Sequence, residues 1–105
     1  MWFAVMSEDV PNSTSNRLEH RPAHLARLND LHAQERLLIA GPHPATDDSN
    51  EVNTANGAVP GFTGSLVVAR FDCLDDAKAW ADQDPFLLNG VYAKTVVKPF
   101  KLVLP

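Results

Sequence analysis

The sequence predicts an α+β fold in which four strands and two helices follow one another in the order β-α-β-β-α-β. Four short apolar runs are typical of strands, and two segments with apolar residues at every third or fourth position are typical of amphipathic helices. Proline, glycine and aspartate stand at the boundaries of these segments. At 105 residues, with 45% hydrophobic and 21% charged residues, the chain fits one globular domain covering residues 1–105.

The predicted strands are rich in apolar and β-branched residues and end at turn-forming positions. The first run is too short for a signal peptide or a membrane helix, lacks a basic start and is followed at once by a polar segment, Glu8–Ser15, which we expect to be a loop. Pro99 predicts that the far end of the last strand is an edge or a bend. The four strands are expected at Trp2–Ser7, Leu37–Pro42, Gly64–Phe71 and Val91–Val103.

The two predicted helices lie after the first and the third strand. Because proline fits the first turn of a helix and breaks its interior, Pro22 divides the first helical region into a short turn at Ser15–His20 and a main helix at Pro22–Glu35. The second helix is expected to begin near Asp72 and to end at Pro85. Its apolar stripe, which we assign to the core, consists of Leu74, Ala77, Trp80 and Ala81.

For this order of elements, the stable solution is a four-stranded antiparallel sheet with both helices on one face, which is the ferredoxin-like fold. The first and third strands are apolar on both sides, so the other sheet face also needs cover. A homodimer formed through that face is the simplest cover. The segment 44–62 is rich in Asp, Asn, Pro and Gly and is long for an internal connection, which is typical of a functional or mobile loop.

Composition excludes several classes of partner. A net charge of −4 without a basic run argues against binding to nucleic acid, and no segment is long and apolar enough to predict a membrane partner. Cys73 is the only cysteine, so an internal disulfide is excluded, a cytoplasmic location is expected, and the thiol itself is expected to be buried.

His24 and Asp84 are the candidate catalytic residues. His24 lies near the start of the main helix and Asp84 lies where the second helix ends. A histidine and a carboxylate in contact form a general acid–base pair near neutral pH. The residue types alone favour the alternative of a surface histidine and an Asp-Pro turn, because Asp-Pro commonly starts a turn. The axial register of the two helices, which decides whether the residues meet, is not readable from the sequence.

Four further residues are candidates for binding a substrate. Ser65 at the start of the third strand can donate a hydrogen bond, although the chain has no nucleophile elbow around it. Arg17 and Arg21 suit a carboxylate or an enolate-like anion. The alternative for these arginines is solvent exposure or pairing with Glu8 and Glu19. Gly41 either ends the second strand or allows close approach of a ligand to the backbone.

Neither a metal nor a cofactor is expected. His20 and His24 have the spacing of metal ligands on a helix, but the predicted break at Pro22 places His20 before the main helix. No pair of cysteines and no nearby carboxylate completes a metal site.

The ordered set of motifs resembles the YciI-like protein family. No single motif is decisive, but the set spans nearly the whole chain in order. The matching segments are Arg21–Leu28, Arg36–Pro42, Gly61–Ser65, Ala77–Ala81, Asp84–Phe86, Gly90–Tyr92 and Val97–Phe100.

The resemblance implies a ferredoxin-like domain that dimerises sheet to sheet, as in the dimeric α+β barrel group. It also implies an active site centred on His24 and Asp84, with Ser65 and Arg17 in the same pocket. One relative is a dehydrochlorinase of chlorinated hydroxylated aromatics, and related barrels include muconolactone isomerase. The loop Thr46–Val59 looks longer and richer in Asn and Asp than in the shortest members, and if it borders the pocket, substrate choice does not transfer.

Two functional hypotheses follow. The first is a small cofactor-free enzyme of the lyase, dehydrochlorinase or isomerase type, in which His24 moves a proton of a small cyclic or aromatic anion. The second is a non-catalytic dimeric module that binds an unknown small molecule. A purely structural dimer is a third reading, and it would gain no stability from any small molecule.

Overall fold

The computed structural model describes residues 1–47 and 61–105, which form one antiparallel sheet and three helices. The strand order is β2-β3-β1-β4, so the predicted ferredoxin-like α+β fold is confirmed. The predicted loop 44–62 lies mostly outside the described residues, and its two ends belong to strands. The elements are β1 (Trp2–Asp9), α1 (Thr14–Ala33), β2 (Leu37–Pro44), β3 (Phe62–Arg70), α2 (Leu74–Asp82), α3 (Pro85–Leu88) and β4 (Tyr92–Phe100).

The hydrophobic core lies between one face of the sheet and the helices α1 and α2. Because side chains alternate along a strand, Phe3 and Val5 of β1 face the helices together with Val67 of β3. Full burial of one such side chain stabilises the fold by about 1.5–3 kcal/mol. The other buried members of this core are Leu28, Leu31, Ala69, Phe71, Ala77 and Ala81.

The opposite face of the sheet also carries apolar side chains. Met6 and Leu66 are cross-strand partners of β1 and β3, lie on this face and are half-buried, while Ile39 of β2 is 52% exposed. The expectation that β1 and β3 are apolar on both sides is therefore confirmed.

Helix α1 is one continuous helix with Pro22 in its interior, so the predicted break at Pro22 is wrong. A proline in a helix interior costs about 3 kcal/mol because the ring removes one backbone donor. The packing of α1 offsets this cost, since buried side chains flank the proline on both sides, from Arg17 to Leu31. Pro22 has no N–H, so the carbonyl oxygen of Leu18 loses the backbone donor that it would have in a regular helix. Both residues are exposed, and water can donate to that oxygen instead.

The second helical region is two helices joined at Asp84. Helix α2 ends at Asp82, and Pro85 occupies the first turn of the short helix α3 rather than only stopping α2. Cys73 is the N-cap of α2 and is exposed, so the predicted burial of its thiol is wrong. The cap position lies outside the apolar stripe of α2, and no core side chain is required there.

The two edge strands carry the prolines of the sheet. Pro99 lies in β4, and Pro42 and Pro44 lie in β2, which are the outer strands. A proline is tolerated there because an edge strand has one side without ladder hydrogen bonds. The edge position predicted for Pro99 is therefore confirmed, and β4 ends at Phe100 rather than at Val103. Among the described residues, no helix is long and apolar enough to cross a membrane.

Gly64 allows the close approach of β1 and β3 and provides a test of this packing. A Cβ built on Gly64 would lie 2.2 Å from the backbone oxygen of Ser7, which cannot move without shifting the strand. We expect Gly64→Ala to lower the free energy of unfolding by about 1–3 kcal/mol in urea titrations. Gly41→Ala is the matched control, since its Cβ would meet no atom within 4 Å. Equal stability of the two variants would contradict this account.

Candidate active site

His24 and Asp84 are in direct contact. His24 Nδ1 lies 2.9 Å from Asp84 Oδ1, and the two residues are 8% and 5% exposed. Asp84 is the N-cap of α3, and the same Oδ1 accepts the backbone N–H of Phe86 at 2.9 Å. Because a carboxylate oxygen in this position only accepts, the ring proton lies on Nδ1, and Nε2 is the basic nitrogen of His24.

Aromatic rings hold the His24 imidazole in place. The ring stacks on Phe86 with centroids 4.0 Å apart and an angle of 9° between the planes, and Tyr92 meets it edge-on at 6.4 Å. The hydrogen bond to Asp84 fixes one edge of the imidazole and the stacked ring fixes its plane. His24 is therefore preorganised, which lowers the entropic cost of placing a proton acceptor.

A cavity of about 320 Å³ lies beside His24, between α1 and the β2–β3 side of the sheet. Arg17, Arg21, Gly41 and Ser65 line it together with His24. The cavity therefore brings five of the six predicted site residues together, and Asp84 supports His24 from behind. The remaining wall is mostly apolar and includes Leu18, Leu25, Phe62 and Phe86.

Arg17 is held by Asp9 at the inner end of this cavity. The Arg17 Nε donates to Asp9 Oδ2, and Nη2 donates to Asp9 Oδ1 at 2.9 Å, to the carbonyl oxygen of Gly64 at 2.9 Å and to Ser65 Oγ at 2.9 Å. The Asp9 side chain is 1% exposed and also accepts the Ser13 hydroxyl at 2.6 Å. Arg17 therefore pairs with Asp9, not with Glu8 or Glu19.

Arg21 and Gly41 occupy the outer part of the cavity. Arg21 is exposed, and the ion pairs formed among residues 1–47 and 61–105 do not include it. Its charge is therefore available to a ligand. The open space around the missing Cβ of Gly41 shows that close approach within this chain does not require glycine at this position.

His20 does not join this site. With α1 continuous, His20 and His24 lie one turn apart on the same helix, contrary to the expectation that His20 precedes it. The nearest acidic partner of His20 is Glu19, at 3.8 Å. Within residues 1–47 and 61–105, no three His, Cys, Asp or Glu side chains are grouped so that they would hold a metal ion.

Asp9 and Tyr92 are site residues that the sequence patterns did not single out. Asp9 was expected in a polar loop, and Tyr92 looked like one apolar residue among the lysines of β4. Tyr92 is 6% exposed and packs edge-on against Phe86 at 5.5 Å. The spacing Asp9-x3-Ser13-x3-Arg17 is the signal that would have pointed to Asp9. The hydroxyl of Ser13 and the guanidinium of Arg17 follow this carboxylate at intervals of four residues.

Arg27 lies on the other side of the dyad, one turn after His24 on α1. Its Nη2 donates to the carbonyl oxygen of Trp80 at 2.7 Å, and its guanidinium lies 4.6 Å from the centroid of the Trp80 ring. Burial lowers the pKa of Arg27, and the charges of Asp84 and Asp30 oppose this effect. Trp80 thus packs against the core as predicted and also carries a cation on its ring.

The single tyrosine of the chain allows one group of the site to be titrated directly. Burial raises the pKa of Tyr92 from 10.0 to about 12; the charges of Asp84 and Asp9 act in the same direction, and Ser65 and Arg17 oppose them. Since the phenol of the unfolded chain ionises first, stabilisation by this group is complete below about pH 10 and is lost as the pH rises to about 12. Tyrosinate absorbance should give a midpoint near 12.

The Tyr92→Phe variant is the control for this linkage. It should lose the tyrosinate signal, and its free energy of unfolding should fall less steeply above pH 10, by up to about 1.4 kcal/mol per pH unit. Parallel pH profiles of the two proteins would contradict the assignment.

Comparisons with known proteins agree with this architecture. The sequence matches the family model of the YCII-related domain over residues 1–101. An uncharacterised protein of Haemophilus influenzae is 50% identical over 103 residues, which cover 98% of this chain and 99% of that protein. Protein YciI of Escherichia coli shows the same identity over the same shares of the two chains.

A solved structure is also similar over nearly the full length. It is the 5-chloro-2-hydroxyhydroquinone dehydrochlorinase of Burkholderia phenoliruptrix in complex with 2,5-dihydroxybenzoquinone. Its TM-score is 0.77 at 27% sequence identity, and the alignment covers 96% of this chain and 94% of that one. Since the family match and the relatives at half identity extend over almost all of its residues, this chain belongs to the YCII-related family.

Proposed function

We propose that this protein is a small cofactor-free enzyme in which His24 transfers a proton of a small cyclic or aromatic anion. The observation that carries this proposal is the buried contact of 2.9 Å between His24 Nδ1 and Asp84 Oδ1 at the wall of a ligand-sized cavity. The reaction class is that of a lyase, a dehydrochlorinase or an isomerase.

Each residue of the dyad has a distinct role in this proposal. His24 Nε2 accepts a proton from a C–H or O–H bond of the substrate, and the electron pair of that bond moves into the ring system. Asp84 keeps the proton on Nδ1 and stabilises the imidazolium that forms. A positioned general base of this kind contributes about 10²–10⁴-fold to a rate.

The cavity favours a substrate with one ring. Its volume of about 320 Å³ lies at the lower end of the range for ligand pockets, and its apolar wall suits a flat ring. Arg21 is placed to attract an anionic substituent near the opening. The structurally similar dehydrochlorinase acts on a chlorinated hydroxylated ring and holds 2,5-dihydroxybenzoquinone. This likeness supports the choice of substrate class here.

The dyad is tested most cleanly with Asp84→Asn. Asparagine is also a good N-cap, so the bond to the Phe86 N–H can persist while the charge at His24 is lost. In the wild-type protein, two-bond ¹H–¹⁵N spectra should show His24 with its proton on Nδ1. In Asp84→Asn the amide oxygen can still accept from Nδ1, but the charge that stabilises the imidazolium is lost, so turnover of hydroxylated and halogenated aromatics should fall at least about 100-fold while binding persists.

His32→Gln is the matched control, since His32 is exposed on the same helix. It should leave both the His24 spectrum and turnover unchanged. Equal turnover with and without the Asp84 carboxylate would refute the dyad. If the wild-type protein binds such aromatics but turns none of them over, the ligand-binding module replaces the enzyme.

We further propose that the protein is a homodimer formed through the open face of the sheet. Half-buried Met6 and Leu66 at the centre of this face support the proposal, because a second copy would remove them from water. The charged rim of the face includes Lys94 and Lys98 of β4, which are exposed.

Leu66→Glu tests the dimer, because it places a carboxylate at the centre of the proposed interface. Sedimentation equilibrium should give twice the chain mass of 11.5 kDa for the wild-type protein and the single mass for the variant. Leu88→Glu is the control on α3, where Leu88 is 63% exposed, and it should remain dimeric. A wild-type protein that sediments as a monomer would contradict the proposal.

A further inference from the structure

The two arginines of the cavity present different electrostatics to a ligand. Arg17 is 7% exposed and forms a two-point ion pair with Asp9, whereas Arg21 is exposed and lies outside the ion pairs formed among the described residues. At the inner end of the cavity, the charge of Arg17 is thus cancelled at hydrogen-bonding distance by Asp9. At the opening of the cavity, the charge of Arg21 is not cancelled by an ion pair among the described residues.

The nitrogens of Arg17 are not all used by the protein. Nε and Nη2 donate to Asp9, Gly64 and Ser65, and Nη1 has no hydrogen-bond acceptor among the described residues. The Arg17 side chain retains 9% of its accessible surface, and Nη1 is its one guanidinium nitrogen without an acceptor among the described residues. Because Arg17 lines the cavity, this surface is available to a ligand.

Aromatic rings pack around the Arg17 guanidinium. Its central carbon lies 5.0 Å from the centroid of Phe86 and 5.4 Å from that of Phe62, and both rings line the cavity. The two-point pair with Asp9 fixes the orientation of the guanidinium. Arg17 therefore offers two rigid N–H donors without a net positive charge, beside the Ser65 hydroxyl.

We propose that Asp9 is a positioning residue that makes the inner end of the cavity select a neutral carbonyl oxygen over a permanent anion. This inference rests on the proposed function, because it concerns the ligand of the same cavity. A neutral acceptor oxygen forms hydrogen bonds with Arg17 and is not repelled by the charge of Asp9. A carboxylate at the same place meets the Asp9 charge and loses most of the attraction of Arg17.

This arrangement suits the proton transfer assigned to His24. When His24 takes a proton from a carbon next to a carbonyl group, the C–H bond breaks, an N–H bond forms and the electron pair moves to the carbonyl oxygen. The N–H donors of Arg17 hold the carbonyl oxygen and strengthen as negative charge develops on it, while Asp9 offsets part of that gain, so the site does not bind a permanent anion tightly in the ground state. A full positive charge there would instead favour anions in the ground state.

The test uses two probes of nearly the same shape, 4-hydroxyacetophenone and 4-hydroxybenzoate, at a mildly acidic pH that keeps both phenols protonated. Both are titrated calorimetrically into a parent protein that carries Arg21→Gln, so that a carboxylate has no cation at the opening. The measured quantity is the ratio of the two affinities. A general loss of protein stability weakens the binding of both probes and leaves this ratio unchanged.

Two single variants of the parent should move the ratio in opposite directions. Asp9→Asn leaves the Arg17 charge uncompensated and should favour the benzoate by about tenfold or more. Arg17→Gln leaves the Asp9 charge and should favour the ketone by a similar factor. The double variant, whose pair is neutral again, should return close to the ratio of the parent.

An unchanged ratio in the single variants would overturn the role of Asp9 while leaving the proposed function intact. If the parent binds neither probe, both the inference and the proposed ligand class fail. If Asp9→Asn does not fold, Arg17→Gln and the double variant decide, since the ratio must shift in the first and return in the second.

Discussion

The oxygen Oδ1 of Asp84 connects two helices of this protein. It accepts one hydrogen bond from the Phe86 N–H, which starts α3, and one from His24, which lies in the middle of α1. Pro85 is compatible with this position because the first turn of a helix needs no donor from it. The bond to His24 thus couples the start of α3 to α1 and, in the same contact, aligns the imidazole with the cavity.

The position of the cavity follows from a change of side-chain polarity along the strands. On the face of β1 that meets the helices, Phe3 and Val5 give way to Ser7 and Asp9, and along the antiparallel β3 the matching change ends at Ser65. Helix α1 follows the same gradient, with Leu31 and Leu28 over the core and His24 and Arg17 over the polar end. Because β1, β3 and α1 all become polar at the same end of the sheet, a site with buried charges forms beside the apolar core.

Periodicity was sufficient to predict the order of the elements, because each apolar run specifies its own local structure. Side-chain chemistry and position near the ends of the elements identified His24, Ser65 and Arg17 as candidates. The contact between His24 and Asp84 was not predictable in this way, since long-range packing sets how far one helix slides along another. The continuity of α1 was missed for a similar reason: the cost of Pro22 is local, whereas the packing of Leu28 and Leu31 that offsets it is not.

The acidic partner of Arg17 was likewise not predictable from the sequence. Glu8 and Asp9 are adjacent carboxylates, but alternation along a strand sends neighbouring side chains to opposite faces. Glu8 is exposed, and Asp9 reaches the helices and Arg17. The sequence predicted an arginine that could pair with a nearby acid, but only the position of the strand end decides which acid it is.

The cost of these buried polar groups is itself an argument about function. A chain of this size buries only about 60–70% of the surface of its unfolded state, so its core has little stability to spare. Replacing a buried ion pair by apolar residues is often neutral or stabilising, so pairs such as Arg17–Asp9 are weak evidence for stability. Here that pair and the His24–Asp84 contact both adjoin one cavity. Two such costly contacts side by side at one cavity are what the proposed ligand-binding role requires, and they are not what stability alone favours.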